Sequence, residues 1–154
     1  MKVLRLKDSK QEDFKSEKDR DDHYGRHGKQ LKPPAESPKE YQDRANAIAM
    51  KARCYPVGTD HEWWMYATKD GKTVKYNTNT EEFCAYKRVR EKDSRTGYDT
   101  GKNVEISSYY TKPIEQVIRQ LKDDFKSTPL SAMKRASKAD LEAYKKFLAD
   151  NRIQ

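Results

Sequence analysis

A chain of 154 residues with 34% hydrophobic and 38% charged side chains has room for one domain of ordinary size, with a modest core built from aromatic and β-branched residues. No apolar run reaches the roughly 18 residues needed to cross a bilayer, and the N-terminus lacks the apolar stretch of a signal peptide. The formal charge of +8 favours polyanionic partners, because a positive surface gains free energy by releasing counterions from phosphate.

In chain order, residues 1–22 read as a charged leader of mixed sign with no lasting apolar period and little fixed structure. A short edge strand over Met1–Leu6 is weakly signalled. A single α+β domain is expected over residues 23–154. Its first strong element starts at Ser37-Pro38-Lys39-Glu40, which combines a capping hydroxyl, a proline at the first helical position and a glutamate three residues on. Tyr41, Ala45, Ile48, Ala49 and Ala52 then form one apolar stripe. From His61 the period switches to two, predicting strands over His61–Thr68, Thr73–Asn77, Glu82–Arg88 and Val104–Tyr110. Asp70-Gly71 supplies a positive-φ turn and Asn77–Thr80 a second polar turn, so the strands form an antiparallel meander. Glu91–Asn103 reads as a longer loop. Pro113 opens a helix with Ile114, Val117, Ile118, Leu121 and Phe125 on one face, and Ser137 caps another over Lys138–Asp150. The predicted fold is an N-terminal helix packed on a four-stranded antiparallel sheet, followed by C-terminal helices.

Histidine is the side chain best suited to proton transfer near neutral pH, and all three histidines lie in the first part of the chain. His23 and His27 precede the first predicted helix in a polar segment with no core role; they are either solvated loop residues or functional ones. His61, at the start of a strand, reads as a surface or turn residue. A zinc site on His23 and His27 requires a helix, and Gly25 between them and Gly28 after them weaken one. The metal-dependent HNH finger lacks its downstream histidine, and no phosphate-cradling glycine loop or Gly-x-Ser-x-Gly elbow is present. Cys54 and Cys84 match neither a zinc ribbon nor a disulfide framework and read as half-buried thiols.

The other polar concentration is Ser107-Ser108-Tyr109-Tyr110-Thr111-Lys112-Pro113. A lysine and hydroxyls there can hold a scissile phosphate, or the segment is a half-exposed strand whose alternate tyrosines pack. RNA cleavage without metal needs little more: the 2′-OH attacks the adjacent phosphorus, a base takes its proton, an acid protonates the leaving 5′-oxygen and a cation stabilises the phosphorane. DNA lacks that hydroxyl, so the same machinery selects RNA.

The run from His27-Gly28 through Ser37–Tyr41 and Ala45, then Asp70-Gly71-Lys72-Thr73-Val74-Lys75-Tyr76-Asn77, Thr80-Glu81-Glu82-Phe83 and Ile106–Pro113, resembles the C-terminal nuclease domains of bacterial polymorphic and contact-dependent growth inhibition toxins. These belong to the barnase, EndoU, colicin and RelE-like group of ribonucleases. The likeness covers roughly residues 23–113. It implies a cofactor-free ribonuclease acting on RNA, with tRNA the expected substrate, in the cytoplasm of a target bacterium after release from a secreted or cell-surface parent. It implies His27 and His23 as acid and base, with Ser108, Thr111 and Lys112 at the phosphate. Lys75, Tyr76, Arg88, Tyr110 and Arg44 are the RNA contacts expected beside them. A cognate acidic immunity protein is the implied protein partner. The end motif departs from the family's Thr-Tyr-Phe-Lys-Pro by an extra residue, Thr111, which leaves the corresponding hydroxyl open.

Two other readings compete. One is a non-enzymatic single-stranded nucleic-acid-binding module of phage or plasmid origin, with Trp63, Trp64, Tyr66 and Tyr76 as stacking platforms; the plain alternative for these rings is core packing. The other, a DNA-binding regulator, is disfavoured because no helix carries a concentrated basic face.

Overall fold

The computed structural model describes residues 14–89, 92, 94–98, 104–124 and 128–153. The Met1–Leu6 strand, Phe125 and most of the Glu91–Asn103 loop lie outside these residues.

The described chain enters a helix, α1 (Glu17–His27), that the sequence reading did not anticipate. Ser16 caps it, its hydroxyl accepting from the Asp19 amide at 3.0 Å. Glu17 and Asp19 stand in the first turn and Arg26 and His27 in the last, as the helix dipole favours. Lys18–Asp22 and Asp19–His23 pair one turn apart at 3.2 and 3.5 Å. These local terms offset the cost of Gly25, about 1 kcal/mol in a helix interior. Residues 17–22 are therefore helical rather than part of a structureless leader.

After a single 3-10 turn over Gly28–Gln30, α2 (Pro38–Ala49) starts where its capping signature predicts, the Ser37 hydroxyl accepting from the Glu40 amide at 3.0 Å. Tyr41, Ala45, Ile48 and Ala49 are buried along one stripe. Ala52, expected on that stripe, falls beyond the helix and is exposed.

The strands β1 (Trp63–Ala67), β2 (Thr73–Asn77), β3 (Glu82–Arg88) and β4 (Val104–Thr111) form one four-stranded antiparallel meander in sequence order. Gly71 holds φ +88 in the first turn. In the second turn the Asn77 side-chain oxygen accepts from the amides of Asn79 and Thr80 at 2.8 and 2.9 Å, a fold-back that asparagine favours. A bulge shifts the β3–β4 register between Ala85, which faces Ser108, and Tyr86, which faces Ile106. Because side chains alternate along a strand, the bulge sets Ile106 and Tyr109 on one face and Ser108 and Tyr110 on the other.

Helices cover both faces. Cys84, Tyr86, Val104, Ile106 and Tyr109 pack against Tyr41, Ala45 and Ile48 of α2, with Tyr24 of α1 alongside. Trp64, Tyr66, Val74, Tyr76, Phe83 and Ala85 pack against Val117 and Leu121 of α3 (Ile114–Asp124) and Tyr144 and Phe147 of α5 (Lys138–Asp150). A short helix, α4 (Leu130–Arg135), was not anticipated; it buries Ala132 with Cys54 and Met65. Both sheet edges are blunted: Phe14 bridges to Ile106 on β4 and Tyr55 to Trp64 on β1.

Candidate active site

On the α3 side of the sheet the strands leave an open cleft of ≈ 390 Å³. Phe83 and Ala85 of β3 and Ser108 and Tyr110 of β4 form its floor, Gln120 and Asp124 of α3 one wall, and the β1–β2 turn from Thr68 to Lys72 the other. Asp124 Oδ2, on the cleft wall, is buried without a hydrogen-bond partner among the described residues, as is the hydroxyl of Tyr66, a core residue. Burial first, then the neighbouring Asp124 carboxylate, holds the Tyr66 phenol far above its ordinary range, so it is a neutral donor. A buried polar atom left unpaired costs about 1–3 kcal/mol.

Two residues distant in sequence meet at Tyr110. The His27 ring, at the last residue of α1, stacks on the Tyr110 ring with centroids 5.1 Å apart. Lys112, just past β4, holds its ammonium 5.6 Å from the same ring and 4.2 Å from that of Phe83. It donates to Gln120 Oε1 at 2.5 Å, which ties it to the cleft wall. Burial lowers the His27 pKa, a hydrogen bond with Gln30 opposes this, and the charges of Arg26 and His23 add to the lowering. His27 is thus a neutral imidazole at pH 7, and its Nδ1 is buried without a partner among the described residues. His23 lies one turn earlier, its ring 5.4 Å from Phe14 and 6.2 Å from His27. Burial lowers its pKa too, against the pull of Asp19.

The chain matches no family model, no curated protein and no solved structure. Its chemistry is therefore read from its own residues.

Of the residues predicted for the site, Ser108 and Tyr110 line this cleft, and His27 and Lys112 contact the Tyr110 ring. Thr111 does neither: it stands opposite Glu82 in the register and, by alternation, on the α2 face. Arg44 belongs to that face as well, 3.7 Å from Glu82 and 3.8 Å from Glu40, with a hydrogen bond of 2.5 Å to the Pro33 carbonyl. Glu82 also accepts from the Tyr109 hydroxyl.

Tyr76 is corrected from an RNA contact to a core residue, since it is fully buried and its hydroxyl donates to the Lys112 carbonyl at 2.7 Å. Lys75, expected as an RNA contact at this site, lies off the cleft on the opposite face of the sheet: it is 4% exposed and its ammonium donates to the carbonyls of Ala49 and Lys51 at 2.8 and 2.7 Å, closing the end of α2. Arg88 lies at the end of β3 beside a different pocket. The aromatic stacking platform is also overturned, because Trp64, Tyr66 and Tyr76 are buried; Trp63 is half-buried with the Lys51 ammonium 5.1 Å from its ring. His61 stacks on Tyr55 at 3.7 Å, and its Nε2 lies 3.0 Å from Asp140 Oδ1. Cys54 and Cys84 are unbridged and buried, and burial pushes the Cys84 thiol up to about 12, so it is inert as a nucleophile.

Sequence reasoning missed Gln120 and Asp124 as cleft residues. A usable signal existed, since the two stand four apart on α3 and so form a polar ridge beside the Val117–Leu121 stripe.

Proposed function

We propose that this chain is a metal-independent endoribonuclease of the interbacterial toxin kind, acting on RNA of the tRNA class. The observation that carries the reading is the convergence of His27 and Lys112 on the Tyr110 ring, which forms part of the floor of an open polar cleft. The neutral imidazole of His27 suits it to take the proton of a ribose 2′-OH. The 2′-oxygen then attacks phosphorus and the bond to the 5′-oxygen breaks, leaving a 2′,3′-cyclic phosphate; the leaving oxygen takes its proton from the imidazolium just formed. The Lys112 ammonium, held by Gln120, offsets the charge gathered on the phosphorane, and Ser108 orients its oxygens. A net charge of +8 suits an RNA substrate and equally an acidic immunity protein that would cover the cleft.

The test is incubation with total tRNA in EDTA. Defined fragments ending in a cyclic phosphate are expected from the wild-type protein and not from His27→Ala or Lys112→Ala. Intact RNA after prolonged incubation with folded wild-type protein refutes the assignment.

A further inference from the structure

On the opposite face of the sheet lies a second cavity, of ≈ 360 Å³. It is bounded by the end of α2, the paired ends of β2 and β3, and α4. Four cations line it, Lys51, Lys75, Arg88 and Arg135, together with the hydroxyl residues Thr73 and Ser131; no aspartate or glutamate is among its lining residues. No ion pair among the described residues joins any of the four to a carboxylate, whereas Arg44, Lys72 and Lys87 are each paired with one. Lys75 forms the floor. Two of its three N–H donors are taken by the Ala49 and Lys51 carbonyls, leaving one. Its ammonium also sits 5.5 Å from the Tyr86 ring.

A buried ammonium at a helix C-terminus is a sufficient structural device by itself. It does not explain why three more cations gather around it. Like charges in one concavity repel, and such an arrangement is tolerated when an anion completes it. Burial is the main cause that lowers the Lys75 pKa, with the charges of Arg88 and Lys51 adding to it against the opposing pull of Cys54 and Cys84.

We infer that this cavity is a binding site for a terminal phosphate group, a phosphomonoester, with Lys75 at its floor and Lys51, Arg88 and Arg135 around the rim. A monoester dianion brings two charges and three free oxygens to a concave site with several converging donors. A backbone diester brings one charge and must run through the cavity at both ends. Guanidinium groups such as those of Arg88 and Arg135 match phosphate oxygens in pairs. The inference does not depend on the ribonuclease reading, whose cleft lies across the sheet.

The experiment uses the full chain and a 5′-phosphorylated deoxytrinucleotide, which lacks the 2′-OH and so cannot be cut by transesterification. Its 5′-hydroxyl counterpart and inorganic phosphate serve as comparison ligands, and affinity is read by calorimetry. The phosphorylated strand is expected to bind at least tenfold tighter than the hydroxyl strand. That difference should disappear in Arg88→Ala/Arg135→Ala, whose substitutions are exposed and spare the Lys75 floor; circular dichroism confirms its fold. Inorganic phosphate binding as tightly as the phosphorylated strand assigns the site to small phosphate ligands, while a strand preference assigns it to nucleic-acid ends. Equal affinity for the two strands together with no binding of phosphate, or a phosphate preference that survives in the double variant, overturns the inference.

Discussion

Replacing His27 by phenylalanine separates its chemistry from its packing. The phenyl ring keeps the stack on Tyr110, whose centroid lies 5.1 Å away, and removes an Nδ1 that is buried without a partner among the described residues. Relief of that atom is worth about 1–3 kcal/mol, and loss of the Gln30 hydrogen bond costs about 1 kcal/mol. The variant should therefore be as stable as the wild type or more stable by up to about 2 kcal/mol. Urea unfolding followed by the fluorescence of Trp63 and Trp64 measures this directly. Cleavage should fall by about 10²–10⁴-fold, the usual contribution of a positioned acid–base group, in single-turnover reactions on tRNA with EDTA present. Turnover at the wild-type rate would refute the role of His27. Destabilisation by more than about 1 kcal/mol would show instead that the imidazole nitrogens serve the fold.

Lys112→Ala should lower cleavage by about 10²–10³-fold, the effect of losing one preorganised electrostatic contact, with RNA affinity by filter binding much less affected. Trp64→Ala should destabilise by about 3–5 kcal/mol as a buried aromatic, since Trp64 is 5% exposed and packs edge-on against Phe147 at 5.6 Å. Trp63→Ala should cost no more than about 2 kcal/mol because the half-buried ring loses less area; equal losses in denaturant titrations would contradict the alternation of β1. Gly58→Ala should cost at least about 2 kcal/mol by thermal unfolding, because Gly58 holds φ +85 and an added Cβ would meet the Phe147 Cβ at 2.2 Å. Both His23 and His27 have folded pKa values below the ordinary histidine value, so the native state binds fewer protons than the unfolded chain. Their contribution is complete above about pH 6.5 and is lost as pH falls through that value toward the folded pKa values. Stability measured between pH 7.5 and 5.5 should therefore fall further in the wild type than in His23→Gln/His27→Gln.

The elements legible in the sequence were those with a local signature. Ser37 with Glu40 announced α2, Asp70-Gly71 announced the first hairpin, and period-two aromatics marked the strands to within a few residues. α1 carries a cap signature too, Ser16 with Asp19 three residues on, but no buried stripe follows it: no residue of the helix is fully buried, and its stability comes from that cap, ion pairs and packing against Phe14 and Tyr41. α4 is too short to show a period and has one buried side chain, Ala132. Of the candidate site residues read from the sequence, Ser108 and Tyr110 line the cleft and His27 and Lys112 touch the Tyr110 ring, whereas Lys75 and Tyr76, expected at the surface, are buried. Alternation tells which strand residues share a face and not whether that face is covered. Here helices cover both, so a lysine in mid-strand became a helix-end clamp.

The bridge between Phe14 and Ile106 bears on how the protein keeps itself apart from other copies of itself. Phe14 is 1% exposed and lies against β4, the strand that would otherwise offer its outer backbone to any passing extended chain. The charged stretch around it invites trimming as a dispensable tail. Cutting after Ser16 would strip that guard from β4, leave Tyr41 and His23 without the ring they pack on, and turn a blunted edge into a sticky rail. Shortened protein would then join edge to edge into fibrils or swapped dimers, a self-association set off by removing a single aromatic plug.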